Sequence, residues 1–318
     1  MSGYLGQFAV KNESTFGTAV TPDRAFEVTS AGIKVVNGRT EIATIRAGDR
    51  LPRHRQPYVK GASGSIEMPV MTKGFGWWLK HMLGTSATGT VTDSVYTHTG
   101  TIGTPTASFT AQTGVPHTSG DSVTPQTASG GKLLSWELSC AAGGVLMFKA
   151  DADFTGWTDD TALVSGLTYP TGVPLTFVRG SITIDGTPVI SESFSIKWNA
   201  TLNADKQGIG ATKREQKVNG HAVGNLDLSL DFEDNTMIDK INATTQAGAT
   251  STVVITIEDT ALAGVTSRAA LISTLNVMWD GDIPSLDGVE QTKQDVNGMI
   301  MQTTTPISLA YKSTDATA

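Results

Sequence analysis

The chain has 318 residues and a single cysteine, Cys140, so no disulfide can form within it. Charge is scarce: 17% of residues are Asp, Glu, Lys or Arg, against roughly 25% in ordinary soluble domains. No apolar run approaches the ~18 residues of a membrane-spanning helix. The opening MSGYLGQFAVKN has neither the charged start nor the continuous apolar run of a signal peptide. A disulfide scaffold and a helical membrane protein are thereby excluded, and the expectation is a soluble protein that folds in a reducing cytoplasm.

What replaces the missing charge is Thr, Ser and 34 Gly, over a hydrophobic content of 39%. That mixture suits a turn-rich β protein whose outward strand positions carry hydroxyls. The net charge of −7 is unevenly placed. Residues 1–165 hold 13 basic and 13 acidic side chains, whereas residues 166–318 hold 10 and 17. An acidic half does not neutralise phosphates, so tight charge-driven binding of nucleic acid is disfavoured.

The sequence repeats itself at a spacing near half its length, the kind of period that precedes any element-level reading. VKGASGSIEMPVMTKGFGWWLKHM (Val59 to Met82) lies over VNGHAVGNLDLSLDFEDNTMIDKIN (Val218 to Asn242) with one insertion. In both, a Gly opens a strict alternation, Ile66, Met68, Val70 against Leu226, Leu228, Leu230. A turn then leads to a short amphipathic segment, where Trp77 and Trp78 match Met237 and Ile238 and Lys80 matches Lys240. Ser30 to Asn37 lies over Ser193 to Asn199, and Gly130 to Ser139 lies loosely over Arg268 to Val277. Four matches in one order argue for duplication, with domains at 1–165 and 166–318 joined near Leu163 to Pro174, where two Pro and two Gly fall together.

Alternation predicts about six strands and one short helix per half. They are Phe26 to Val28, Gly32 to Val36, Gly64 to Met71, Ser108 to Thr113, Leu133 to Ser139 and Val145 to Asp151. In the second half they are Gly180 to Asp185, Glu192 to Asn199, Gly224 to Asp231, Thr252 to Glu258, Ala270 to Asp280 and Thr304 to Tyr311. Such a set fits a small sandwich or barrel. Asn37 to Val59, Ala200 to Val218 and Asp121 to Gly131 resist strand assignment and read as loops. The first two occupy equivalent places and are basic, which suggests partner contact.

No motif carries chemistry. Asp151 to Ala162 resembles a calcium loop at Asp151, Asp153 and Gly156, but Ala162 stands where the bidentate Glu belongs and no helices flank it. His54, His81, His98, His117 and His221 lack the spacing of a zinc site. No nucleophile elbow is present, Cys140 sits in an apolar strand, and the Gly-x-Gly near Gly208 lacks a strand-to-helix context. The glycosylation triplets at Asn12, Asn199 and Asn242 mean little without secretion. No metal or cofactor and no enzymatic activity is expected.

The basic loops leave three readings: a homotypic contact with the acidic half of another copy, a solvated loop, or a nucleic-acid contact. The last would want interleaved aromatics, and only Tyr58 is near. Arg46, Arg50, Arg53, Arg55, Lys213 and Arg214 are therefore candidate inter-ring or inter-subunit contacts, since Arg suits bidentate carboxylate pairing. In the helix, Phe75, Trp78, Leu79 and Met82 form a buried stripe. Trp77 and His81 share an adjacent face, so Trp77 is a candidate seam residue and His81 is expected in solvent.

The run FGTAVTPDRAFEV, the Arg-rich loop and KGASGSIEMPVMTKGFGWWLKHMLGT together resemble the major tail tube proteins of long-tailed, siphovirus-like bacteriophages, especially those of actinobacterial hosts. The features that carry the resemblance lie at Gly17 to Pro22, Gly64 to Val70 and Gly74 to Gly84, with Leu133 to Ser139 and Ile182 to Val189 as further elements. The resemblance implies a mainly β fold of two tandem tail-tube-type sandwich or barrel domains, each with a short flanking helix. It further implies sheets joined side by side into a ring, and rings stacked into a tube that conducts DNA without binding it. Two domains per chain would give a six-domain ring from a homotrimer, with a hexamer as the alternative. Tape measure, tail terminator and distal tail proteins are implied partners, and the place of action is the virion tail, assembled in the host cytoplasm. Asp185, Asp227 and Asp231 are candidates for an acidic lumen. A baseplate hub that stops at one ring, or an adhesion-type sandwich, are the competing classes.

Overall fold

The computed structural model describes residues 5–42, 44, 47–48, 50–51, 54–89, 94–118, 122–205, 207–209, 213–232, 235–261, 268–281 and 293–316. It is mainly β, with two helices and every named strand pair antiparallel. In the first half the strands are β1 (Gln7–Asn12), β2 (Arg24–Ala25), β3 (Ser30–Ala31), β4 (Lys34–Ile42), β5 (His54–Pro69), β6 (Gly84–Thr88), β7 (Tyr96–Ile102), β8 (Phe109–Pro116), β9 (Val123–Ala141), β10 (Met147–Phe154) and β11 (Gly156–Thr158), with helix α1 at Gly76–Leu83. In the second they are β12 (Gly180–Ile184), β13 (Thr187–Val189), β14 (Ser191–Asn199), β15 (Leu202–Asn203), β16 (Lys217–Val218), β17 (Val223–Asp231), β18 (Ser251–Ala261), β19 (Arg268–Gly281), β20 (Lys293–Ile300) and β21 (Ile307–Ser313), with α2 at Thr236–Ala247.

The pairing pattern of one half recurs in the other. Strands run β4-β5-β10-β9 in the first half and β14-β17-β20-β19 in the second. The remaining strands follow suit, β2-β1-β8-β9-β11 against β13-β12-β18-β19-β21. In each half one long strand, β9 or β19, belongs to both series and turns the corner between two layers. Gly130 at that corner has φ +67, a conformation that glycine adopts without the steric cost of a Cβ. The two halves join as continuous sheet, β9 to β14 over Ser135↔Asn199 to Ala141↔Ser193, and again β21 to β7.

The core forms where the alternating faces meet. Trp78 on α1 stands between the layers, 6.5 Å from Phe8, 6.0 Å from Phe109 and 5.5 Å from Phe148 by ring centroid. The helix has no side-chain N-cap of its own. Asp315, near the other end of the sequence, accepts a hydrogen bond from the Gly74 N–H at 2.6 Å. Seven of the eight residues of α1 are buried, because the β6–β7 hairpin and β21 close over it. The second half has no such hairpin between α2 and β18, and α2 keeps an ordinary amphipathic pattern with Met237, Ile241 and Thr244 inward.

Two stretches read as loops are strands. Asn37 to Val59 contains most of β4 and the start of β5, paired from Asn37↔Val59 to Ile42↔His54 as a two-stranded arm. Both faces of this arm are largely exposed, so its sequence has no hydrophobic alternation to betray it. Asp121 to Gly131 holds the first half of β9. Leu163 to Pro174 carries no strand. Phe26 to Val28 is not a strand either, although Phe26 is buried against Trp77 and Trp78.

Candidate assembly surfaces

The face of the continuous sheet that points away from the helices is mainly polar, with Met147, Val223, Met278 and Met299 as apolar exceptions. Because side chains alternate along a strand, the partners of Ile66, Trp136, Ile196, Leu226 and Val296 on the opposite face are Ser, Asn, Asp, Glu and Lys. Hydrogen bonds cross this face from strand to strand and from one half to the other. Ser135 donates to Asp151 at 2.9 Å, Ser195 to Glu137 at 2.6 Å, and Ser229 to Asp295 at 2.6 Å. Lys197 pairs with Asp227 at 2.7 Å, which raises the Lys197 pKa above its ordinary value. Both partners are well exposed, so the pair is worth well under about 1 kcal/mol. Glu67, Glu137, Asp151, Asp227, Asp231, Asp280 and Asp295 face Lys34, Lys149, Lys197 and Lys293 on this surface, seven carboxylates against four lysines; arginines and an aromatic enter only on the β4–β5 arm, as Arg39, Arg55 and Tyr58.

The three acidic candidates separate. Asp227 and Asp231 lie on the polar face, four residues apart on β17 with Ser229 between them. Asp185 does not; it occupies the β12–β13 turn at φ +51, accepts the Thr252 N–H at 2.8 Å and is ion-paired to Lys240 on α2. These bonds outweigh its desolvation and lower its pKa.

The basic candidates separate too. Arg55 on the β4–β5 arm pairs with Glu41 at 3.1 Å, both half-exposed. Arg50 is exposed beyond the paired part of the arm, next to Leu51 at 81% exposure. Arg46 and Arg53 lie outside the described residues. Arg214 is exposed and its guanidinium lies against Gly208. Lys213 corrects the expectation of an outward contact: it is buried and ion-paired to Asp153 of the first half. Gln216 donates to the Asp153 carboxylate at 2.7 Å and to its backbone carbonyl at 3.0 Å, and Glu215 pairs with the buried Lys132 at 2.9 Å. The segment Lys213 to Gln216 thus fastens the second half into the first. Nothing in the sequence flagged it, since Asp153 stood out only as part of a failed calcium loop.

Trp77 and His81 are a second correction. Trp77 is 5% exposed, packed against Phe26, Phe109 and Trp78, which leaves almost none of it for a neighbouring subunit. His81 lies 4.4 Å from the Trp77 ring and bonds Asn12 at 2.7 Å. Burial holds its pKa down to about 3, with nearby Lys80 adding to the effect, so at neutral pH it is an uncharged core side chain. Helical periodicity implied an open flank on α1; Phe26, Asn12 of β1 and Phe109 of β8 occupy it.

Among the described residues no group of three or more His, Cys, Asp or Glu side chains is placed to hold a metal, and no helix is long and apolar enough to cross a membrane. A protein built from two antiparallel sheets of matching strand order, with a continuous, mainly polar face and a projecting strand arm, is organised as a structural building block. Residues 3–304 match the family model for the phage tail tube protein. The chain therefore belongs to the phage tail tube protein family, and it is a structural component of the virion tail. Comparison with curated proteins gives no significant match.

Proposed function

We propose that this protein polymerises as stacked rings into the tail tube through which phage DNA passes into the host. The observation that carries the reading is the continuous, mainly polar face across both halves, joined at β9–β14 and bearing seven carboxylates against four lysines. Such a face turned inward offers DNA phosphates neither a basic groove nor an aromatic platform. It would let a polyanion slide without sticking. The chain then supplies two tail-tube domains, residues 1–165 and 166–318, and three chains make a six-domain ring; a hexamer is the alternative. Asp227 and Asp231 belong to the lumen in this reading and Asp185 does not. Tape measure, terminator and distal tail proteins would meet the tube inside and at its ends. The siphovirus-like, actinobacterial assignment rests on the resemblance of the Gly17 to Pro22 and Gly64 to Gly84 stretches.

The β4–β5 arm is proposed to reach the neighbouring ring, because it projects with Arg50, Arg55 and the exposed Ile42, Leu51 and Tyr58 near its end. Reversing Arg50 and Arg53 to Glu should abolish long tubes while leaving rings or folded monomers, as read by electron microscopy and circular dichroism. Tubes of normal length from the double variant would refute the role of the arm. A wild-type protein that stops at single rings would favour a baseplate hub over a tube.

A further inference from the structure

The triplet Val-Asn-Gly occurs three times, at residues 36–38, 218–220 and 296–298. An asparagine followed by glycine carries a chemistry of its own, because the next backbone nitrogen can reach the side-chain amide carbon and glycine has no Cβ to obstruct the approach. The three local sequences are the same, and all three asparagines are exposed. What differs is the backbone that holds them.

Asn297 and Gly298 lie inside β20, between β17 and β19, with Gly298 opposite both Leu226 and Trp279. Whichever way its N–H points, a neighbouring strand accepts it. The strand also has no room to turn there, since a Cβ at Gly298 would meet Val277 Cγ1 at 2.3 Å. Asn37 and Gly38 pair with Val59 and Tyr58 on the β4–β5 arm, and the Tyr58 ring covers Gly38, its Cζ 2.2 Å from where a Cβ would stand. Asn219 is held differently. It follows the last pair of β15 and β16, with its N–H donated to the Thr201 carbonyl at 2.9 Å. Gly220 is then an exposed bend outside any strand, and the chain is caught again at His221, whose carbonyl accepts the Thr201 hydroxyl at 2.8 Å. Among the described residues neither the Asn219 side-chain amide nor the Gly220 N–H has a hydrogen-bond partner.

We propose that Asn219 is a self-modifying site, deamidated by the chain's own Gly220 nitrogen, while Asn37 and Asn297 stay intact in the folded protein. The Gly220 nitrogen attacks Cγ of the Asn219 side chain. An N–Cγ bond forms, the Cγ–Nδ2 bond breaks, and ammonia leaves carrying the Gly220 proton. Water then opens the cyclic imide at either carbonyl, leaving aspartate or, with the main chain rerouted through the side chain, isoaspartate. Water is the only co-reactant, and nothing is oxidised or reduced. Closing the imide requires the Asn ψ angle to leave the extended range of a strand, which the free peptide at Gly220 allows and a paired ladder forbids. Each event replaces a neutral amide by a carboxylate close in sequence to the exposed Arg214 and Lys217, in a segment whose Lys213 is already taken up by Asp153. The isoaspartate product also lengthens the main chain between its two attachments to Thr201, so it loosens the end of the β15–β16 pair.

Folded wild-type protein, held in mildly alkaline buffer to favour the deprotonated nucleophile, is sampled over days by peptide mass mapping, with isoaspartate counted by enzymatic methyl labelling. Asn219 should convert first, with Asn37 and Asn297 several-fold slower or unconverted. In urea-unfolded protein, where the ladders are gone, the three sites should converge to similar rates. Gly220→Ala should slow the conversion in folded protein several-fold, because the added methyl obstructs the attack; its nearest neighbour is the Thr201 Cγ2 methyl, at 3.0 Å. Asn219→Ser should remove most of the acidic species that ion exchange resolves from aged wild type. Equal rates at the three sites in folded protein, or conversion of Asn37 or Asn297 ahead of Asn219, overturn the proposal. So does an Asn219 that stays intact in folded protein while it converts in urea. None of these results depends on whether the protein forms rings.

Discussion

Replacing Trp78 by alanine is expected to lower the unfolding free energy by about 3–5 kcal/mol, the range for deleting a buried large aromatic side chain. Trp78 is fully buried and touches both layers of the first half, from Phe8 and Phe26 on one side to Phe148 on the other. The cavity could not collapse without moving two sheets. Its indole N–H has no acceptor among the described residues, so the contribution is packing, and Trp78→Phe should recover most of the stability. Trp77→Ala should also melt at lower temperature, because Trp77 is core. A side chain kept for a subunit seam would leave the monomer's melting unchanged and weaken assembly alone. Thermal and denaturant unfolding of the three variants read the difference.

Lys213→Ala is expected to be as damaging, by about 3–5 kcal/mol, because it strands one partner of a buried ion pair. The Asp153 carboxyl is already held above its usual range by burial, opposed by its hydrogen bonds from Lys213 and Gln216. Removing Lys213 takes away part of that opposition, and the native-state pKa rises further above the unfolded value. In that window the native chain binds a proton more readily than the unfolded one, so stability grows as pH falls through the raised pKa and is lost as pH rises. The deficit of the variant against wild type should shrink toward acid pH. Its growth toward acid would contradict the assignment. Arg214→Ala, one residue on and exposed, should change stability by no more than about 0.5 kcal/mol.

The legible part of the fold was the part with a buried face. Gly64 to Met71, Leu133 to Ser139, Glu192 to Asn199 and Gly224 to Asp231 all alternate because one side packs inward, and all four are strands. The illegible strands lack that contrast. The β4–β5 arm is exposed on both faces, and the buried half of β9 before Gly130 is Thr, Ala and Ser. β20 has Gln294, Val296, Gly298 and Ile300 inward. Gly298 is forced there because a Cβ would meet Val277 Cγ1 at 2.3 Å, and that requirement belongs to the neighbouring strand, out of reach of local pattern. The same limit explains Trp77 and Lys213. Burial of the first is decided by Phe26 and by Phe109 of β8, both far from α1 in sequence, and burial of the second by a carboxylate 60 residues away in sequence. The repeat was visible at its glycines and alternating triplets; the full recurrence of strand order required the pairings.

The proposed ring places two unlike halves of one chain in equivalent positions. Cryo-electron microscopy of the purified, assembled protein tests it most directly, with the symmetry of a single ring resolved at the level of strands. The account predicts three chains per ring, six similar four-stranded units around the channel, and the Asp227 face inward. A ring of six chains, or one with the helices α1 and α2 toward the channel, would contradict it.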